Sequence, residues 1–150
     1  MTIKPIFMSI SDLYDNEFRK RNKDHFAAIV RVAMSDGIIS EEEKEFLDRL
    51  ADRLNISEHD YKRIMKDYES HPINPPVSYD HRLERLFDLA RMVAVDKIHE
   101  EEEKKILRKF CVALGFHAVN VKYITDKALE LVSQGHGLDE FIDGIKNMNQ

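Results

Sequence analysis

An all-α, single-domain helical bundle of about seven to eight helices is the fold class this sequence predicts, on three observations. Apolar residues recur at spacings of three and four along most of the 150-residue chain, and no stretch alternates with period two. Residues 26–65 superpose on residues 86–125 without a gap, at a constant offset of 60. The composition, 43% hydrophobic and 34% charged, is that of a folded chain with enough apolar surface for a core.

Taken in order, a flanking helix is predicted at about residues 10–24. In the first repeat Phe26, Ile29, Val30, Ala33 and Met34 keep helical spacing, and the pattern stops at Asp36-Gly37. Phe46, Leu47, Leu50 and Leu54 form the next apolar stripe. Ser40 precedes it with Glu43 three residues on, the spacing of a capping box. Asn55 can end that helix, and Ser57 can cap a third one carrying Tyr61, Ile64, Met65 and Tyr68. About residues 70–79 hold three of the four prolines and read as an extended linker. The second repeat follows the same plan, with Leu86, Leu89, Ala90 and Val93, then Ile106, Leu107, Phe110 and Leu114, then a stop at Gly115. Val121 to Val132 extend a longer helix, and a last flanking helix is predicted at about 138–147. Each repeat alone would expose a broad apolar stripe, so the two are expected to bury theirs against each other in one pseudo-twofold domain spanning 1–150.

Charge is the most informative part of the composition. The net charge is −5, and ten of the 28 acidic residues fall in two places. These are Asp36, Glu41, Glu42, Glu43 and Glu45, and Asp96, Glu100, Glu101, Glu102 and Glu103. The offset of 60 carries Asp36 onto Asp96, Ile38 onto Ile98 and Glu43 onto Glu103. An acidic chain is poorly suited to neutralising phosphates, which excludes general nucleic-acid binding. No apolar stretch is long enough to span a bilayer, no signal-peptide core begins the chain, and a cytoplasmic location is expected. One cysteine excludes an intrachain disulfide framework and a cysteine-only zinc site.

The repeated turn has two readings. Asp36, Gly37, Ile39 and Glu43 fall at positions 5, 6, 8 and 12 of an EF-hand loop, but Val32 and Met34 stand at positions 1 and 3 and offer calcium no oxygen. Neither copy is an EF-hand. Carboxylates without a thiolate still suit a hard divalent cation, Ca²⁺, Mg²⁺ or Mn²⁺. In the structural reading, Asp36 forms an Asx turn, Gly37 supplies a positive φ, Glu43 completes the capping box, and Ile38 and Ile98 plug the turns into the core. In the second copy Lys97 replaces the glycine and can neutralise Asp96.

These paired Asp-to-Glu turns, with Ala-Leu-Gly-Phe at 113–116, resemble the tellurite-resistance protein TerB-like family over about residues 26–125. The resemblance implies a compact all-helical cytoplasmic domain with an acidic surface, a link to tellurite resistance and stress response, and a proposed divalent-metal role for the acidic residues. Carried over by position, the metal candidates are Asp36, Glu43, Asp96 and Glu103, with Glu42 and Glu102 as their neighbours. The family offers no catalytic chemistry to carry over.

Elsewhere the seven histidines lack ligand spacing and read as solvated surface, with His99 the one bordering an acidic turn. Cys111 falls on an apolar face and reads as core. The run Arg19-Lys20-Arg21-Asn22-Lys23 reads as a solvated helix face. No phosphate loop and no nucleophile elbow is present, so no catalytic or cofactor-binding residue is assigned. The expected function is a non-enzymatic interaction or sensor module whose acidic turns bind a divalent cation or a basic protein surface. The alternatives are a metal-assisted hydrolase using the same carboxylates, and a purely structural scaffold. The sequence does not set the oligomeric state.

Overall fold

A computed structural model describes residues 10–35, 37–70, 75–76, 78–95 and 100–148, with side chains from Asn16 onward. Among the described residues seven α-helices follow one another: α1 (Ile10–Ala33), α2 (Glu41–Arg53), α3 (Glu58–Lys66), α4 (Tyr79–Val95), α5 (Glu100–Cys111), α6 (Ala118–Ser133) and α7 (Leu138–Lys146). Single 3₁₀ turns at Tyr68–Ser70 and Val112–Leu114 complete the order, and no strand occurs among the described residues.

The predicted flanking helix and the first helix of the first repeat are one element. No glycine or proline interrupts residues 10–33, so nothing stops the helix between Asp24 and Phe26. The 24-residue α1 is about 36 Å long at 1.5 Å per residue. Its middle is exposed, whereas every residue from Phe26 to Val30 is buried. A helix apolar all round must be surrounded, and α1 packs on α2, α3 and α5. Similarly, α4 packs on α5, α6 and α7, while α2 lies on α5.

Local chemistry sets the helix ends. Ser40 Oγ accepts from Glu43 N–H at 3.0 Å and Ser57 Oγ from Asp60 N–H at 3.1 Å, so both predicted N-caps form. Ser78 Oγ accepts from His81 N–H at 3.2 Å and opens α4 in the same way. The predicted stops at Asn55 and Gly115 adopt left-handed backbone, φ 56° and 90°. In the linker, Pro75 and Pro76 form no regular element; residues 71–74 and 77 lie outside the described set.

The apolar faces meet in one contiguous core. Phe46 of α2 and Phe110 of α5 pack edge to face with centroids 5.6 Å apart, joining the two stretches that the sequence superposes. Leu50 beside them is 1% exposed, so truncating it to alanine costs about 2–5 kcal/mol. Ile38 does not plug the first turn into this core, for it is 76% exposed. Gly37 turns the chain at φ 77°, the backbone reaches Ser40 extended, and successive side chains there point opposite ways, so Ile39 packs on the core instead. Ile98 lies outside the described residues. Among the described residues no helix is long and apolar enough to cross a membrane.

Candidate functional site

The two acidic stretches become the first turns of α2 and α5, which carry Glu41 to Glu43 and Glu100 to Glu103. Carboxylates are favoured there because a helix N-terminus bears partial positive charge, each worth about 0.3–1 kcal/mol when exposed. Of these glutamates, Glu43 and Glu103 turn inward. Glu43 does not fold back to complete the capping box; its Oε2 accepts from Lys109 Nζ of α5 at 3.0 Å. The same ammonium donates to the carbonyl of Ala33 at 3.2 Å, at the negative end of α1. Glu103 Oε1 accepts from the Arg49 guanidinium of α2, which also lies 5.3 Å from the Phe46 ring centroid.

These two ion pairs cross. The offset of 60 that takes Glu43 to Glu103 also takes Arg49 to Lys109. Each half of the chain thus supplies the base for the other half's glutamate. The start of α2 lies beside the end of α5, and the end of α2 beside the start of α5, so the two helices run antiparallel. Six residues separate the partners along each helix, which sets Glu43 and Glu103 about 9 Å apart along the pair. As packed, each is turned to its own base.

Burial differs between the two. The Glu43 side chain is 15% exposed and that of Glu103 only 3%. Glu103 Oε2 is buried without a hydrogen-bond partner among the described residues. The neighbouring acids are open to water: Glu41, Glu45, Glu100, Glu101 and Glu102 are exposed and Glu42 partly so. Lys104 reaches Glu100 at 3.5 Å and Glu101 at 3.4 Å, while Lys44 turns away to Asp48 and the Tyr61 hydroxyl. Asp36 and Asp96, the aspartates of the candidate metal set, lie outside the described residues, as do Lys97 and His99. Among the described residues, no three His, Cys, Asp or Glu side chains form a group that could hold a metal ion.

Two other sequence expectations change. His25 is not solvated surface: it is 9% exposed, and burial, aided by the nearby Arg85 charge, lowers its pKa to about 3. Within the basic run Arg19, Lys20 and Arg21 are exposed as expected, but Asn22 is 4% exposed, since it sits one turn before Phe26 on the buried side of α1. Cys111 is core, and burial pushes its thiol up to about 12. Arg49 and Lys109 were the residues to find: a base six positions after each matched glutamate is visible in both copies, but identity matching passes over an Arg/Lys pair.

Residues 9–66 match the family model for the tellurite resistance protein TerB. The match runs through α1, α2 and α3 and includes the first acidic turn. It supports a TerB-like assignment and does not extend to the second acidic stretch. No curated protein and no solved structure matches the chain.

Proposed function

We propose that this TerB-like chain is a non-enzymatic interaction or sensor module whose acidic helix starts take a cationic group, foremost the basic side chains of a protein partner. One observation carries the reading. Glu43 and Glu103 are spent on internal bases and fix the starts of α2 and α5, while Glu41, Glu42, Glu45 and Glu102 form no ion pair among the described residues. The result is a held, solvated negative surface, which steers a basic partner at long range and weakens as salt screens it. The family's name makes tellurite and related stress the setting in which to look for that partner.

A second reading rests on Glu103 Oε2. A buried carboxylate oxygen with no partner among the described residues is costly, and a hard divalent cation would satisfy it. A Glu43 ligand would first have to release Lys109.

Calorimetric titration of the whole chain with a Lys/Arg-rich peptide, and separately with Ca²⁺, Mg²⁺ and Mn²⁺, tests both. The partner reading expects salt-sensitive peptide heat that Glu41→Gln/Glu42→Gln/Glu45→Gln abolishes. Identical peptide heat in that variant overturns it. The cation reading expects metal heat that Asp96→Asn removes, and its absence in the wild type ends that reading.

A further inference from the structure

A cleft of about 910 Å³ between α1 and α4 takes no part in the acidic surface, and its size is that of small-molecule sites. Its floor is built from polar side chains. Asn22 is 4% exposed and both ends of its amide are committed: Nδ2 donates to the Leu54 carbonyl at 3.3 Å, and Oδ1 accepts from Arg85 Nη2 at 3.0 Å. This chain of bonds runs from α4 through α1 to the end of α2 and holds the Arg85 guanidinium in place. Arg85 has no carboxylate at ion-pair distance among the described residues; Asp88, the acid that acts on it most strongly, is engaged by Arg53 at 3.2 Å. Glu84 contributes to that field from the exposed rim, and Arg21 opposes it. Burial is the larger influence and draws Arg85 below the usual arginine range.

His25 stands on the same floor, nine-tenths buried, with no hydrogen-bond partner among the described residues. Neutral at physiological pH, it offers one N–H and one lone pair to the cleft. Phe18, Leu54 and Ala113 supply apolar wall. A desolvated guanidinium, a second one on the rim and an unpaired imidazole lack an anion, while the acids of the cleft are at its edge or already paired. Guanidinium groups bind planar and tetrahedral oxyanions through paired N–H bonds.

We propose that this cleft binds a small organic oxyanion, a carboxylate or phosphate monoester bearing an apolar group. The head group sits on Arg85 and His25, and the apolar body lies against Phe18 and Leu54. The test is an NMR titration of the whole chain with phenyl phosphate, benzoate and inorganic phosphate, following the His25 ring and arginine side-chain resonances. The expected result is saturable shifts with phenyl phosphate or benzoate and weaker ones with inorganic phosphate; the tighter of the two organic probes identifies the head group. Arg85→Gln is expected to weaken binding about tenfold or more, as loss of a charged hydrogen bond does. Because Arg85 also supports Asn22, Arg21→Gln serves as the second variant: several-fold weaker binding at an unchanged thermal midpoint. On binding, the anion raises the His25 titration midpoint from its unliganded value of about 3. Absence of saturation with both organic probes overturns the proposal, as does equal binding by wild type and both variants, or inorganic phosphate binding as tightly as phenyl phosphate.

Discussion

Glu43 accepts a hydrogen bond from Lys109 at 3.0 Å, and the same ammonium holds the Ala33 carbonyl at 3.2 Å. One side chain thereby joins the start of α2, the end of α1 and the body of α5. Lys109→Met keeps the apolar stem but leaves a mostly buried carboxylate unpaired. It is expected to lower unfolding free energy by about 1–3 kcal/mol. Urea denaturation measures this, and a midpoint equal to wild type would count against the role assigned to the pair.

Arg49 and Glu103 predict an asymmetry. Glu103 is nearly fully buried, whereas the Arg49 side chain is 40% exposed. Arg49→Ala strands a buried carboxylate and is expected to cost about 3–5 kcal/mol. Glu103→Gln leaves a guanidinium that water can reach, so its cost is expected to be smaller, about 1–2 kcal/mol. Equal losses, or the reverse order, would contradict the burial of Glu103.

His25 links stability to pH. The imidazole takes up its proton near 6.5 in the unfolded chain but only near about 3 when folded. Between those values the unfolded state binds more protons, so acid favours unfolding. The contribution is complete above about 6.5 and is lost as pH falls towards about 3, reaching several kcal/mol at about 1.4 kcal/mol per unit. Carboxylates titrate in the lower part of this window, so His25→Gln is the reference. Denaturation from neutral pH to about pH 4 should show a shallower decline in the variant; parallel curves would remove His25 from the account.

Two left-handed glycines separate strain from collision. At Gly37, φ 77°, a Cβ meets nothing within 4 Å, so Gly37→Ala carries the backbone penalty alone, about 1–2 kcal/mol. At Gly115, φ 90°, a Cβ would lie 2.9 Å from Pro75 Cβ as well. Gly115→Ala is therefore expected to lower the thermal midpoint more than Gly37→Ala does.

Helix periodicity, the serine caps and the left-handed stops made most of the fold legible, because each is a local property of the chain: Ser40, Ser57, Asn55 and Gly115 all act within a few residues of themselves. What escaped depended on neighbours distant in sequence. His25 sits in a polar run, and its burial comes from elements distant in sequence. Ile38 and Ile39 are equally apolar, and the turn at Gly37 decides which of them is buried. The acidic stretches were plain to read as charge, but Glu43 cannot be told from Glu42 until α5 arrives with Lys109.

The crossed pairing of α2 with α5 also bears on how the molecule comes apart. Residues 9–66, the span matched by the TerB model, contain Glu43 and Arg49 but neither of their partners. Separating the halves would uncover both charges and the Phe46–Phe110 contact in the same step. The seam is therefore expected to open in one step: amide hydrogens on α2 and α5 should exchange together, with the free energy of global unfolding, and neither half should persist as a folded intermediate.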